Sequence, residues 1–335
     1  MKKARIGLIG LGAMGRVHFD CWRKSAHAEL VAVSDRNPKM LAGDWAGKQF
    51  NIGEQAAAHV DMSGIATYRR VEDMIADPNV DAVDICMPTP LHGPLAIAAL
   101  RAGKHVFCEK PMSLSLDVCA EMERTARECG RHLTVGHCLR YWPQYVKAHE
   151  LLTGGELGRA LYASFHRSSA APMWSADDWL MKFEESGGVL DMHIHDVDVA
   201  LWWFGRPRSI AVSGLVPRGL PMLIDAAWEY DAGPSVHLHG AWDRNGGAFR
   251  HAFRLVMEEG TLVHDIAVDA NALTLIRDGK AEPVWLGSGS GYQDELDDFA
   301  AGINAGRASH RITPAESRLA VEIGLEEVRQ LRGVG

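Results

Sequence analysis

A short apolar run ending in closely spaced glycines constrains this 335-residue chain more than any other feature. Residues 5–9 read as a buried strand, and Gly10, Gly12 and Gly15 follow in G-x-G-x-x-G spacing. The first glycine permits a tight turn, the second lets the backbone approach a phosphate, and the third lets a helix lie close to the strand. A second strand ends at Asp35, where an acid can bind ribose hydroxyls. The pattern predicts a dinucleotide site, with a plain strand-turn-helix as the alternative.

The composition favours a globular protein that acts on a small molecule. The net charge of -8 and the pI near 6.0 argue against a nucleic-acid partner or an acidic membrane surface, since both need a basic patch. No apolar run reaches the ~18 residues of a membrane span and no apolar leader precedes the first strand, so we expect a cytoplasmic protein. The six cysteines form no C-x-x-C pair, and we expect them to be reduced core thiols.

The order of the predicted elements indicates two domains. Six short apolar runs alternate with helical segments, which predicts a doubly wound parallel sheet over residues 1–137. In residues 138–335, a helix around residues 143–152 is followed by longer strand-like runs joined by turns, and helices end the segment. The runs are residues 160–166, 209–216, 223–230, 235–242, 253–257 and 273–277. We therefore predict an α/β chain with an N-terminal Rossmann dinucleotide-binding domain and a C-terminal α+β domain with a large, mostly antiparallel open sheet. We expect the uncovered face of that sheet, with many apolar residues, to form a subunit interface in a homodimer or homotetramer.

A charged pair follows the fifth predicted strand. Glu109, Lys110 and Pro111 come at the carboxyl edge of the parallel sheet, where ligand crevices lie in open α/β folds. A lysine beside a nicotinamide can hydrogen-bond a substrate hydroxyl. A surface ion pair is the alternative interpretation.

A second group of polar residues lies on a predicted helix that ends before Gly205. Its apolar residues recur at intervals of four and three and form a core stripe. Asp191, His195 and Asp198 fall on an adjoining face, with Asp191 and His195 one turn apart. A carboxylate beside an imidazole fixes its tautomer, which suits a general base near neutral pH. A helix-capping aspartate with a structural histidine is the alternative.

Two His-x-His pairs invite a metal interpretation that the geometry disfavours. On a helix, residues two apart point about 200° from each other, so His193 and His195 cannot easily share an ion. His237 and His239 lie on a predicted strand, but they have no cysteine or acidic partner close in sequence. We therefore expect no metal site.

Taken together, these motifs resemble the Gfo/Idh/MocA family of nicotinamide-dependent oxidoreductases. The resemblance covers nearly the whole chain and rests on five stretches: the glycine motif, residues 87–92, 109–111, 140–143 and 187–195. It implies that Lys110, Asp191 and His195 are catalytic. The sequence after Asp191 is most like the inositol dehydrogenase branch. It departs from the family at Thr89, where many members carry Asn, and at His193, where a small residue is common.

The resemblance also implies a cofactor and a substrate site. NAD is the expected cofactor, with NADP also open. The expected cofactor-binding residues are Gly10, Leu11, Gly12, Ala13, Met14, Gly15, Asp35, Arg36, Pro88, Thr89, Leu91, His92, Glu109 and Lys110. The expected substrate contacts are Arg140, Tyr141, Trp174, Trp179 and His193.

The implied reaction is oxidation of a secondary hydroxyl of a cyclitol, sugar or sugar derivative to a ketone, or the reverse. His195 takes the hydroxyl proton, Asp191 orients His195, and Lys110 stabilises the developing alkoxide while hydride passes to the nicotinamide. Two other classes stay open: an NAD-dependent glycosidase, which would retain all these residues, and a ligand-sensing regulator without turnover, which would have no need for them.

Overall fold

The computed structural model describes most of the chain, and the described residues form two compact units. The described residues are 3–46, 58–173, 175–243, 245–309 and 311–333. The first unit comprises residues 1–138 and 290–318, and the second comprises residues 139–289 and 319–335.

The first unit is built on a parallel sheet whose strands are connected through helices. Its strands are β1 (Ala4–Ile9), β2 (Ala28–Ser34), β3 (Ala66–Tyr68), β4 (Ala82–Ile85), β5 (His105–Glu109) and β6 (Leu133–Gly136). The helices among them are α1 (Ala13–Lys24), α2 (Pro38–Leu41), α3 (Val71–Ala76), α4 (His92–Arg101) and α5 (Leu116–Cys129). The strand order is β3-β2-β1-β4-β5-β6, which confirms the predicted Rossmann sheet. The order reverses between β1 and β4, and the ligand crevice of such sheets lies there, at the carboxyl ends.

Helix α1 packs on this sheet through an apolar face. Phe19 and Trp22 are buried together with Ile6 and Leu8 of β1 and Phe107 of β5. The two α1 residues are three positions apart, so they project from the same side of the helix. This packing holds the start of α1 directly after the glycine turn.

The second unit is built on an eight-stranded sheet. Its strands are β7 (Ala160–Ala170), β8 (Ser209–Leu215), β9 (Leu223–Glu229), β10 (Ser235–Asp243), β11 (Arg250–Met257), β12 (Gly260–Asp265), β13 (Thr274–Arg277) and β14 (Lys280–Pro283). The helices before and between them are α6 (Pro143–Gly154), α7 (Phe183–Ser186) and α8 (Leu190–Phe204). The strand order is β14-β13-β12-β11-β7-β10-β9-β8. Neighbouring strands are antiparallel except β7 and β10, which run parallel, so the sheet is mostly antiparallel as predicted.

Helix α8 covers one face of this sheet and packs on β7 and β10. A Cβ atom at Gly240 of β10 would lie 2.7 Å from Nδ1 of His193. The missing side chain therefore lets α8 approach the strand closely, and it fixes which side of the helix faces the sheet.

The other face of the sheet carries small residues and histidines. The His166 and His239 rings stack with their centroids 4.6 Å apart, and Nδ1 of His239 lies 2.6 Å from Oδ1 of Asp225. Ser164 and Ala227 also line a depression of about 660 Å³ on this face. The face is thus more polar than the sequence analysis expects.

Helices α9 (Gly291–Ala305) and α10 (Pro314–Arg332) close the chain. The sequence pattern predicts that residues 290–318 belong to the C-terminal domain, whereas the structure groups them with the first unit. The reason is the apolar face of α9: Leu296, Phe299 and Ala300 are buried in the core cluster that contains Phe107. Local sequence shows that α9 is amphipathic, but it does not show which core its apolar face joins.

Two strands of the second sheet are absent from the sequence prediction. Strand β12 is short and begins at a glycine, and strand β14 is polar and exposed along its whole length. Neither segment has the apolar alternation that predicts a strand. None of the helices within the described residues is long and apolar enough to cross a membrane.

Candidate functional site

The turn between β1 and α1 has the geometry that the glycine motif predicts. Gly10 has φ +89, and a Cβ atom there would lie 2.4 Å from the carbonyl oxygen of Cys86. A Cβ atom at Gly15 would lie 1.9 Å from the carbonyl oxygen of Gly10. At Gly12, by contrast, a Cβ atom would meet no atom of the described residues within 4 Å. Gly12 precedes α1 without a capping side chain, so the turn offers open space and helix N–H groups to an anionic ligand.

Asp35 joins the end of β2 to this turn. Its Oδ2 accepts a hydrogen bond from the backbone N–H of Leu11 at 2.9 Å, and its Oδ1 accepts one from Asn37 at 2.8 Å. The Asp35 side chain is half-buried and the neighbouring Arg36 is exposed. A carboxylate held in this way keeps lone pairs that can accept ribose hydroxyls.

The segment after β4 forms a 3-10 turn from Thr89 to Leu91, after which α4 begins at His92. Nδ1 and Nε2 of His92 each lie 2.7 Å from a carbonyl oxygen, of Pro111 and Met87 respectively. Burial lowers the pKa of His92, and the two carbonyl contacts partly oppose this effect. His92 therefore ties the turn after β4 to the turn after β5.

Thr89 adds a hydrogen-bonding group to the same turn. Its side chain is buried, and its hydroxyl oxygen has no hydrogen-bond partner among the described residues. Leu91, two positions on, is 41% exposed. An unsatisfied buried hydroxyl beside the crevice is a group that a polar ligand can satisfy.

Lys110 follows the last residue of β5, and its side chain is half-buried. Oε2 of the buried Glu109 accepts a hydrogen bond from the Lys110 backbone N–H at 3.2 Å. The Lys110–Pro111 peptide bond is cis. The structure thus places Lys110 at the carboxyl edge of the parallel sheet, as predicted from the order of the motifs.

Beneath this edge lies a buried polar cluster that the sequence analysis does not identify. Nδ1 of His18 lies 2.8 Å from Oδ2 of Asp84 and 3.2 Å from Sγ of Cys86, and Nε2 of His18 lies 3.2 Å from Oε1 of Glu109. Trp22 also donates to Oδ2 of Asp84, at 2.7 Å. A signal is present in the sequence: Asp84 is an acid in the middle of a buried strand, which requires a partner.

His18, Asp84 and Cys86 are close enough together to raise a metal interpretation. Burial alone would lower the pKa of His18, but the Asp84 carboxylate outweighs burial and raises it well above its ordinary value. Burial also raises the pKa of Cys86. The contacts of 2.8 Å between His18 and Asp84 and of 3.2 Å between His18 and Cys86 join these side chains in a hydrogen-bonded network.

In the second unit, α8 presents Asp191 and His195 in a way that sets them apart from their neighbours. From Leu190 to Leu201, every side chain is buried except these two, which are half-buried and one helical turn apart. Asp191 and His195 of the predicted face therefore reach solvent, whereas Asp198, predicted to lie on the same face, is buried. An aspartate and a histidine at this spacing can share a proton-transfer role.

Two buried ion pairs fix the orientation of α8. Arg167 of β7 donates to both carboxylate oxygens of Asp196, at 2.9 and 3.0 Å. Arg140 donates to both oxygens of Asp198, at 3.0 and 2.8 Å. All four side chains are buried. Because both pairs are bidentate, they resist rotation of the helix about its axis.

A third contact that holds α8 in place is made by His193, which is predicted from the sequence to contact substrate. Its side chain has no exposed surface, and Nε2 lies 2.9 Å from Oε2 of Glu327 on α10. Oε1 of Glu327 accepts a hydrogen bond from Trp228 at 2.7 Å. A side chain in this position cannot contact a substrate without moving, so we assign His193 a structural role.

The other expected substrate contacts differ in accessibility. Arg140 and Tyr141 are buried, and Arg140 is held by Asp198. Trp179 is half-buried in a 3-10 segment from Ala176 to Met181. Trp174 lies outside the described residues. Trp179 is therefore the most accessible of the four that are described, with His193 fully enclosed.

Two family models match the chain. Residues 4–137 match the oxidoreductase family with an NAD-binding Rossmann fold, and residues 145–263 match the GFO/IDH/MocA C-terminal domain.

Curated relatives carry oxidoreductase names. The chain is 36% identical over 247 residues to a 1,5-anhydro-D-fructose reductase of Ensifer adhaerens, with 71% of this chain and 69% of that protein covered. It is 33% identical over 203 residues to a myo-inositol 2-dehydrogenase of Thermotoga maritima, with 60% and 55% covered. It is 32% identical over 205 residues to the uncharacterized oxidoreductase YrbE of Bacillus subtilis, with 61% and 54% covered. The last two matches thus span little more than half of the relatives' length.

A solved structure shares the fold. A levoglucosan dehydrogenase in complex with NADH and levoglucosan has a TM-score of 0.84, with 100% of this chain and 98% of that chain covered. Its sequence identity is 19%, so this likeness concerns the fold alone.

Proposed function

Because the chain belongs to the Gfo/Idh/MocA family of oxidoreductases, we propose that it oxidises a secondary hydroxyl of a cyclitol, sugar or sugar derivative to a ketone, or catalyses the reverse. The observation that carries the proposal is the exposure pattern of α8, in which Asp191 and His195 alone reach solvent between Leu190 and Leu201. An acid-base pair must be accessible to its substrate, and this arrangement meets that requirement.

The features of the first unit fit NAD. The turn at Gly12 is open, α1 begins without a capping side chain, Asp35 is half-buried at the end of β2, and the buried Thr89 hydroxyl has no partner among the described residues. Pyrophosphate would lie against the helix N–H groups and ribose against Asp35. NAD, when bound, supplies the acceptor for a hydride.

The proposed mechanism assigns one task to each polar side chain. His195 accepts the proton of the substrate hydroxyl as general base, and Asp191 orients the imidazole and stabilises its protonated form. The ammonium of Lys110 stabilises the negative charge that develops on the substrate oxygen. In the reverse direction, His195 returns the proton.

The names of the relatives support the substrate class. The myo-inositol 2-dehydrogenase and the 1,5-anhydro-D-fructose reductase both act, by name, on polyhydroxylated rings or their ketones.

We also propose a homodimer or homotetramer formed through the face of the second sheet that carries His166, because α8 covers the opposite face. A cytoplasmic location is consistent with the six free cysteines.

A substrate panel tests the proposal. Purified protein is assayed with cyclitols, aldoses, anhydrosugars and glycosides, with NAD and with NADP, by recording reduced cofactor and released aglycone separately. The proposal expects net cofactor reduction with at least one polyol. Release of aglycone without net reduced cofactor would identify a glycosidase, and binding without either product would identify a regulator. His195→Asn, with His27→Asn at an exposed position of the first unit as control, shows whether turnover depends on α8.

A further inference from the structure

The buried cluster beneath Lys110 has no task in the mechanism above, although it is costly to form. His18 is completely buried, and carboxylates face both of its ring nitrogens: Asp84 at 2.8 Å and Glu109 at 3.2 Å. Burying charged groups costs several kcal/mol per ion unless they are closely paired. The cluster comes from three separate elements, α1, β4 and β5. An apolar core would fill the same space without this cost.

The arrangement keeps His18 charged. Burial opposes protonation, but Asp84 overcomes it and raises the pKa of His18 well above its ordinary value. Burial likewise opposes ionisation of Glu109, and His18 reverses this effect, so the pKa of Glu109 is lowered. The imidazolium thus lies between two carboxylates. Its Nδ1 N–H donates to Asp84 at 2.8 Å, whereas its Nε2 has no hydrogen-bond partner among the described residues and is in ion-pair contact with Oε1 of Glu109 at 3.2 Å.

Glu109 contacts both His18 and the backbone of Lys110. Its Oε1 faces His18, and its Oε2 accepts the backbone N–H of Lys110 at 3.2 Å. Gly136 of β6 packs on the carboxylate, because a Cβ atom there would lie 3.0 Å from Oε1. Oε1 of Glu109 therefore faces the His18 imidazole, and Oε2 faces the Lys110 backbone N–H.

We propose that His18 is a positioning residue for Lys110: it holds the Glu109 carboxylate on the Lys110 backbone N–H and away from the Lys110 ammonium. Without the imidazolium, Glu109 has a buried negative charge with one partner removed, and the charge of the adjacent Lys110 also attracts it. An ammonium paired with Glu109 has less charge to offer a substrate oxygen. This inference rests on the proposed catalytic role of Lys110.

Four variants test the proposal through activity. His18→Gln is expected to lower kcat by about tenfold or more, as for a misplaced charge, while Kd for NAD stays within roughly twofold. The double variant H18Q/E109Q is expected to recover most of this loss, because it removes the competing carboxylate and keeps an oxygen for the Lys110 N–H. Glu109→Gln alone serves as its reference. His132→Gln, a half-buried histidine of the same unit, is the control and is expected to match the wild type.

Hydrogen exchange gives a readout that needs no substrate. In His18→Gln, a peptide spanning residues 106–114 is expected to exchange faster at the Lys110 amide than in the wild type, while peptides from β6 do not change. If the wild type has no oxidoreductase activity but exchange still responds, the proposed function fails and the positioning of Lys110 stands. If His18→Gln does not fold, Glu109→Ala, which removes the acceptor of the Lys110 N–H, is expected to show the faster exchange. Unchanged exchange together with unchanged kcat, or a double variant as impaired as His18→Gln, would overturn the proposal.

Discussion

The guanidinium of Arg167 and the carboxylate of Asp196 meet in two hydrogen bonds of 2.9 and 3.0 Å, with both side chains buried. Removing one partner leaves the other charge buried without compensation. We expect Asp196→Ala to destabilise the second unit by roughly 3 kcal/mol, measured by urea unfolding. Glu150→Ala breaks the exposed pair with Lys147 and is expected to cost about 0.5 kcal/mol at most. Equal losses in the two variants would show that the buried pair does not hold α8.

The proposed acid-base role of His195 predicts a separation between turnover and cofactor binding. His195→Ala and Lys110→Ala are each expected to lower kcat by at least ~100-fold, the usual range for a general base or a positioned charge. NAD binding, measured by calorimetry, is expected to persist in His195→Ala, since the glycine turn and Asp35 belong to the other unit. Near-normal turnover in either variant would remove that residue from the mechanism.

Asp35 predicts a preference for NAD over NADP. A 2′-phosphate would bring negative charge against this carboxylate, whereas ribose hydroxyls can donate to it. Arg36 is exposed and can bind a phosphate, but we expect repulsion to prevail by about 1 to 2 kcal/mol, roughly ten- to thirtyfold in kcat/KM.

The comparison of kcat/KM for the two cofactors with one substrate checks this preference. Asp35→Ser is expected to narrow the ratio, and Arg36→Ala to widen it. Equal values in the wild type would mean that Arg36 compensates fully, and a preference for NADP would show that another residue binds the ribose.

The uncovered face of the second sheet predicts self-association. Ala227 is half-buried on this face, and a charged side chain there would be enclosed if two copies meet. Light scattering at micromolar concentration is expected to show a dimer or tetramer for the wild type and a monomer for Ala227→Glu. Ala98→Glu, at an exposed position of α4, is the control. A monomeric wild type would contradict the prediction.

Because His251 is buried, we predict that the protein loses stability in acid. Burial, with repulsion from Arg167, lowers its pKa to about 2, so the native chain excludes a proton that the unfolded chain binds below pH ~6.5. The contribution of neutral His251 to the free energy of unfolding is therefore fully present above the pH at which the unfolded histidine titrates. This contribution is lost as the pH falls below that value. Between pH 7.5 and 5.5 this one group is expected to cost roughly 1 kcal/mol. His251→Phe should reduce the pH dependence of Tm, and His27→Phe, at an exposed position of the first unit, should not.

The parts of the molecule that depend on local pattern could be predicted from the sequence. The glycine spacing and the alternation of strands and helices predict the parallel sheet, and the core stripe of α8 predicts that Asp191 and His195 share a face outside it. These features repeat within a few residues, so a single stretch contains the whole signal.

The features that could not be predicted depend on partners far apart in the chain. His18 and Asp84 are separated by 66 residues, and His193 and Glu327 by 134. Nothing in the local sequence pairs these residues. The sequence therefore predicts His193 as a substrate contact, and only the structure shows that Glu327 lies beside it. The exposed edge strand β14 has no apolar pattern at all.

The placement of α9 has a consequence for the order in which the protein can fold during synthesis. The core around Phe107 also contains Phe299, so the first unit lacks part of its interior until residues beyond 300 have left the ribosome. At the usual rates of elongation, the 167 residues from 138 to 305 take roughly ten to thirty seconds to add. The dinucleotide-binding unit is synthesised first, but its core stays incomplete until α9 has been synthesised. A fragment ending at residue 138 would expose the same unfilled core.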